Sequence, residues 1–149
     1  MAKTPPKAKT GRALATSSRR VEQWEIPGQP VPAARPRVSK WGTYYPKTYS
    51  NWLKLAKEKI ALLAAQRTEW AGPWSTPVEV HIVAVIEKAK TSKLTVPIGD
   101  VDNYAKAALD VMTHNKVWPD DKLVTKLYAE KRFAEPGEAP RVSVTIHPA

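Results

Sequence analysis

Val78-Glu79-Val80-His81-Ile82-Val83-Ala84-Val85-Ile86 carries the pattern that decides the fold. Val78, Val80, Ile82, Ala84 and Ile86 occupy alternate positions, and an extended chain turns all of them to one face. The stretch from Pro77 to Ile86 therefore reads as a strand with one side in a core. This is also the longest apolar run of the chain. Glu79 and His81 interrupt it, and it is too short to cross a bilayer, so the sequence implies a soluble protein with no membrane partner. His81 alternates with apolar neighbours and reads as a structural strand residue.

Upstream, the period changes. From about Thr48 to Gln66, Trp52, Ala56, Ile60 and Leu63 recur at helical spacing, with Lys54, Lys57, Glu58 and Lys59 mostly off that seam. Gly72-Pro73 separates this helix from the strand. Before the helix, Gln23-Trp24-Glu25-Ile26 reads as a short first strand, stopped by Pro27-Gly28. A proline-rich connection follows from Pro30 to Pro36, where helix is forbidden. Arg35-Pro36-Arg37 and Lys40-Trp41-Gly42-Thr43-Tyr44-Tyr45-Pro46-Lys47 then form a basic, aromatic loop.

Downstream, Lys88 to Lys93 is a polar basic loop. A second helix begins around Gly99 to Asp102 and runs to about Met112, with Val101, Tyr104, Ala105, Ala108 and Met112 on its apolar side. Trp118-Pro119-Asp120-Asp121 is a turn. Leu123 to Phe133 reads as a strand, Pro136-Gly137 as a turn, and Arg141 to His147 as a closing strand with Val142, Val144 and Ile146 alternating. The last two strands are close enough in sequence to pair as a hairpin. The remaining tryptophans (Trp24, Trp52, Trp70, Trp74, Trp118) are expected to pack in or on the core. The fold class is α/β (α+β): a small mixed sheet with two main helices packed on it. The 149 residues suffice for one such core, placed at residues 21–149.

The first 20 residues have a different character. Lys3, Lys7, Lys9, Arg12, Arg19 and Arg20 are mixed with proline, glycine, serine and threonine, and no acid occurs before Glu22. Such a segment buries too little apolar surface to offset its ordering entropy. It shares its acid-free basic composition with organelle transit peptides, and it lacks the apolar centre of a secretory signal. The favoured reading is a disordered tail that contacts DNA, rewarded by counterion release.

Twenty-four basic residues against 14 acidic ones give a net charge of +10. A polyanion is the natural partner for such a charge, nucleic acid first and an anionic membrane surface second; plain solubility is the bland alternative. The chain has no cysteine, and its three histidines are scattered. Disulfides and thiolate metal sites are therefore excluded, and a bound metal would sit on oxygen ligands, as magnesium, manganese and calcium do.

Those oxygens have candidates. Asp100 and Asp102 stand two residues apart at the start of the second helix, Lys106 lies one turn on, and Asp120-Asp121 follows in the next turn. Carboxylates so placed can converge on one cation that polarises a phosphoryl oxygen and activates water, with Lys106 meeting developing charge. The same residues also serve plain structure: an aspartate at a helix start is commonly an N-cap worth about 1 kcal/mol, and Asp-Asp after proline is ordinary turn chemistry. Spacing alone leaves both readings open. Asp110 reads as the i, i+4 ion-pair partner of Lys106 rather than a ligand. Arg35, Arg37, Lys40, Tyr44 and Lys47, with Trp41 and Tyr45, can neutralise phosphates and stack on bases, or can equally form a solvated loop whose aromatics pack on the core.

Taken together and in order, several pieces resemble the RusA-like Holliday junction resolvases, the crossover junction endodeoxyribonucleases. They are Gly28-Gln29-Pro30-Val31-Pro32, Arg35-Pro36-Arg37, Tyr45-Pro46-Lys47, Asp100-Val101-Asp102-Asn103-Tyr104-Ala105-Lys106 with Leu109-Asp110, and Val117-Trp118-Pro119-Asp120-Asp121. The resemblance runs from about residue 23 to the C-terminus. It implies an α/β homodimer that binds four-way DNA junctions and nicks two strands symmetrically with Mg²⁺ (Mn²⁺ as a substitute), in recombination and repair or in phage DNA processing. The implied localisation is cytoplasmic and DNA-associated. It also implies Asp100, Asp102 and Asp121 as catalytic metal ligands, Asp120 as their neighbour, and Lys106 as the catalytic lysine. Gly99 stands where many relatives have proline, and Ala34 where many have glycine. A non-catalytic DNA-binding protein and a nuclease for flaps or other branched DNA are the alternatives.

Overall fold

The computed structural model describes residues 20–68 and 70–149, so the expected tail up to Arg19 lies outside the described residues. Arg20 does not behave as tail. Its Nε lies 3.2 Å from Glu22 Oε2, and its guanidinium covers the Trp74 ring at 4.4 Å.

The elements follow the hydrophobic periods. They are β1 (Glu22–Pro27), β2 (Arg37–Ser39), β3 (Gly42–Tyr44), α1 (Lys47–Gln66), β4 (Val78–Ile86), α2 (Val101–His114), a 3-10 turn (Asp121–Leu123), β5 (Val124–Phe133) and β6 (Arg141–Pro148). Strands β1, β6, β4 and β5 form one sheet in that spatial order. β6 runs antiparallel to both neighbours, and β5 runs parallel to β4. Both helices pack on one face of this sheet and on each other.

Two expectations change. β5 and β6 are not a hairpin, because β4 lies between them. The segment after β5 crosses the end of β4, with Ala134 N–H bonded to Ile86 O at 2.8 Å and Gly28 N–H to Pro140 O at 3.1 Å. The cause is burial: Val142, Val144 and Ile146 of β6 are all buried, which suits an interior strand, whereas most of β5 is exposed, which suits an edge. The basic aromatic loop is likewise more ordered than its composition suggested. Its Arg37–Ser39 and Gly42–Tyr44 pieces pair as a small antiparallel ribbon, closed by Gly42 at φ +123°, a value that favours glycine.

The core lies between sheet and helices. Val78, Val80 and Ile82 of β4 meet Trp52, Ala56 and Ile60 of α1 and Ala105, Ala108, Val111 and Met112 of α2. Each such side chain contributes roughly 1.5–3 kcal/mol on burial. Trp24, Trp74 and Trp118 are fully buried, as expected of them. Glu22 is the one buried acid among the described residues, 8% exposed. Its Oε1 accepts the indole N–H groups of Trp24 at 3.1 Å and Trp74 at 3.0 Å. The opposite sheet face is polar. There His81 Nε2 lies 2.6 Å from Glu79 Oε2, a contact that holds the Glu79 carboxyl below its usual range. His81 also packs against Tyr128 and His147.

Candidate active site

The start of α2 is built by the loop that feeds it. Gly99 takes φ +99°, and a Cβ there would meet the Tyr104 ring at 3.1 Å and Pro32 Cγ at 3.2 Å. The Tyr104 hydroxyl donates to Ile98 O at 2.7 Å, and burial pushes its pKa up, which keeps that donor proton in place. Lys131 of β5 donates to the carbonyls of Pro97 and Gly99. These contacts fix the peptide that delivers Asp100.

Asp100 occupies the N-cap position of α2, yet its side chain makes no capping hydrogen bond. Its backbone carbonyl accepts from Asn103 N–H at 3.0 Å and Tyr104 N–H at 3.3 Å. The carboxylate is thus not consumed by helix initiation, which weakens the purely structural reading. Asp102 is exposed in the first turn. Ala33 N–H donates to Asn103 O at 2.9 Å, tying the proline-rich connection to this turn and setting Arg35 beside it.

One turn further, Lys106 Nζ lies 3.6 Å from Asp110 Oδ1, the i, i+4 pair expected from spacing. The Tyr49 hydroxyl donates to Asp110 Oδ2 at 3.3 Å. Burial, and then the Asp110 charge, push the Tyr49 pKa well above the ordinary tyrosine value. Tyr49 is itself wedged edge-on against Tyr45, with centroids 5.3 Å apart. Sequence reasoning placed neither Tyr49 nor Lys131 at the site. Tyr49 lies on the apolar seam of α1, and no local signal joins it to an aspartate 61 residues away.

A cavity of about 200 Å³ is lined by Arg35, Pro36, Tyr45, Tyr49, Asn103, Lys106 and Asp110, among others. A second, of about 440 Å³, shares Tyr45, Lys106 and Asp110 and continues to Lys57, His114, Asp120 and Asp121. The two make one groove between the helices, with Arg35 at one end and the Asp120-Asp121 turn at the other. Asp120 serves the turn: its Oδ1 accepts Lys122 N–H at 2.9 Å. Asp121 is exposed at the first residue of the 3-10 turn. Asp100 and Asp102 stand outside the groove lining, at the N-terminal end of the same helix. A further concavity of about 510 Å³ lies elsewhere, at Arg20, Gln23, Arg67 and Trp70, and touches none of the candidate residues.

The donor set consists of carboxylate oxygens and suits a hard divalent cation. Among the described residues, however, no three carboxylate or imidazole side chains stand close enough to enclose a metal ion. The structure thus brings Lys106, Asp110, Asp120 and Asp121 to one groove and leaves Asp100 and Asp102 on its approach, without gathering the four candidate ligands into a closed cage.

The basic ribbon projects beside this groove. Arg35, Arg37, Lys40, Tyr44 and Lys47 are all exposed. Trp41 is 85% exposed, with the Lys40 ammonium 5.0 Å from its ring. Packing on the core is therefore not what holds Trp41 or Tyr44.

A groove carrying carboxylates and a lysine, rimmed by exposed cations and aromatics on a two-layer α/β domain, has the character of a nucleic-acid-cleaving enzyme. A family model described as Endodeoxyribonuclease RusA matches residues 27–147, from the end of β1 through β6. The chain belongs to the RusA endodeoxyribonuclease family, the Holliday junction resolvases that its motifs resemble. No curated protein matches the chain. No helix among the described residues is long and apolar enough to cross a membrane.

Proposed function

We propose that this domain is a Mg²⁺-dependent, structure-selective endonuclease that resolves four-way DNA junctions by paired nicks and works as a homodimer. The observation that carries the reading is the uncapped Asp100 carboxylate at the head of a helix whose next turns present Lys106 and lead to the Asp121 turn. Asp100, Asp102 and Asp121 are the residues proposed to hold the ion, with Asp120 as a structural neighbour of Asp121. Magnesium keeps several waters and needs few carboxylates, so a closed protein cage is not required of them. When bound, the ion supplies Lewis-acid polarisation of the scissile phosphate and a more acidic water.

The chain's own residues do the rest. Lys106 faces charge that develops on the phosphate, and Asp110 with Tyr49 holds its ammonium in the groove. Arg35, Arg37, Lys40 and Lys47 neutralise phosphates along the rim, and Tyr44 and Trp41 offer faces to unstacked bases. Phosphate contacts carry no direct sequence information, so selectivity rests on branched shape. Two symmetric strands at a junction call for two equal sites, which a two-fold dimer provides.

The test is cleavage of a synthetic four-way junction with Mg²⁺, with EDTA, and with Asp100→Asn and Asp102→Asn. Both variants are expected to fold and bind the junction while nicking falls by at least about 100-fold, the scale seen when transition-state stabilisation is removed. Full activity in both variants, or nicking that EDTA leaves untouched, overturns the reading. Preference for flaps over the junction would keep the nuclease and change its substrate.

A further inference from the structure

β5 is the outer strand of the sheet and is ten residues long. Among the described residues, no backbone hydrogen bond from outside the sheet reaches Thr125 to Arg132, and Val124 N–H is bonded to Asp121 O of the preceding turn. An edge of this length presents a row of free N–H and C=O groups, which proteins ordinarily cover, bulge or guard with charge. Here the edge also exposes Leu127 (44%) and Tyr128 (56%). The register with β4 puts Lys126, Tyr128, Glu130 and Arg132 on the polar sheet face, and Leu127, Ala129 and Lys131 on the helix face.

The charges along this edge are arranged for one partner. When two copies of β5 run antiparallel about a two-fold axis at Tyr128, Lys126 of each copy falls opposite Glu130 of the other, twice by symmetry. Thr125 then faces Lys131, Leu127 faces Ala129, and Tyr128 meets its own copy. No like charges oppose each other. Moving the axis one residue toward the C-terminus sets Lys126 against Arg132; moving it one residue the other way leaves no charge pair. Among the described residues of one subunit, the ion-pair contact of Glu130 is to Arg132 at 3.8 Å, in its own strand. Opposite charges directly across a strand pair stabilise it, and like charges destabilise it.

We infer that β5 is the homodimer interface, pairing antiparallel with β5 of a second copy around Tyr128 to give a continuous eight-stranded sheet. This rests on the dimer reading above. A two-fold of this kind stands normal to the sheet, so both α1–α2 layers lie on the same side. Both candidate sites then face one DNA substrate. The interface also reaches the site directly, since Lys131 of β5 holds the peptide before Asp100.

The chain has no cysteine, so a single introduced one reports one contact. Directly opposed residues in an antiparallel pair have Cα atoms about 4.5–5.5 Å apart, within disulfide reach. Tyr128→Cys is expected to give a covalent dimer under mild oxidation, and Gln23→Cys, on the strand at the far edge, is not. In sedimentation equilibrium, Lys126→Glu alone and Glu130→Lys alone are expected to weaken the dimer about tenfold, because each creates like-charge pairs twice. The double reversal is expected to restore it. Circular dichroism of each variant verifies folding, and the double variant guards against a merely local effect at Glu79, the β4 residue paired with Lys126. A wild-type chain that is monomeric at micromolar concentration overturns the inference and leaves the nuclease open. A dimer that neither cross-links at residue 128 nor responds to the charge swaps overturns the interface alone. A dimer with these properties that cuts no junction upholds the interface while the nuclease reading fails.

Discussion

Gly99 shows how one residue sets the aim of a carboxylate. Its φ of +99° lies where side chains other than glycine's are strained, and a proline, fixed near −65°, cannot hold this geometry at all. The space is closed as well, by the Tyr104 ring at 3.1 Å and Pro32 at 3.2 Å. Gly99→Ala therefore costs about 1–2 kcal/mol in conformation alone. To relieve the contact the Tyr104–Ile98 bond must shift, and with it the peptide carrying Asp100. Sub-ångström placement matters steeply in catalysis. The expected outcome is a chemical step slowed about tenfold with junction affinity nearly unchanged, read by single-turnover nicking beside a binding titration. Equal losses in both would show that Gly99 serves folding rather than the aim of Asp100.

Elements were readable where one face decides. β4 and β6 alternate cleanly because one side of each meets the helices, and the Trp52, Ala56, Ile60 seam of α1 is a helical stripe. Their order in the sheet was not readable, because alternation reveals a buried face but not a neighbour; only the burial of β6 against the exposure of β5 places β4 between them. Likewise Asp100, Asp102, Lys106 and Asp121 stood out as a motif, while Tyr49 and Lys131 act through contacts that cross the chain and leave no local trace. The crossing from β5 to β6 carries its own device. Arg132 holds the Glu138 carboxylate through two 2.7 Å bonds, Glu135 N–H adds one at 2.9 Å, and Arg141 one at 3.0 Å. Together they hold Glu138 well below the usual carboxylate range, Arg132 first. A carboxyl depressed in the folded state stabilises it fully above its unfolded pKa, near 4.3, and loses that contribution as pH falls through the carboxylate range. Glu138→Gln keeps the shape without the charge. Urea unfolding is expected to show wild type ahead of the variant at neutral pH, with the gap narrowing as pH drops below about 4. A gap constant with pH would assign the effect to packing.

At the scale of the whole molecule, the question is where the positive charge is used. The chain carries +10, and every phosphate neutralised releases counterions, steepening the fall of log affinity with log salt by about 0.9. The rim cations on the ribbon are proposed as one set of phosphate contacts. Residues 1–19 are proposed as another, with Lys3, Lys7, Lys9, Arg12 and Arg19 giving five cations and no anion. Arg20, by contrast, is anchored to Glu22 and Trp74, so a chain beginning at residue 20 keeps the contacts that close the core around Trp24. Deleting residues 1–19 is therefore expected to leave the unfolding midpoint unchanged. If the segment lies along the DNA arms, the deletion lowers the salt slope of junction binding by up to about 4.5, and non-specific duplex binding falls in parallel, because phosphate contacts do not read shape. The preference for junction over duplex then rises or holds. An unchanged slope would locate all phosphate contacts on the folded domain. A lost preference for the junction would instead make these residues part of how the branch is recognised.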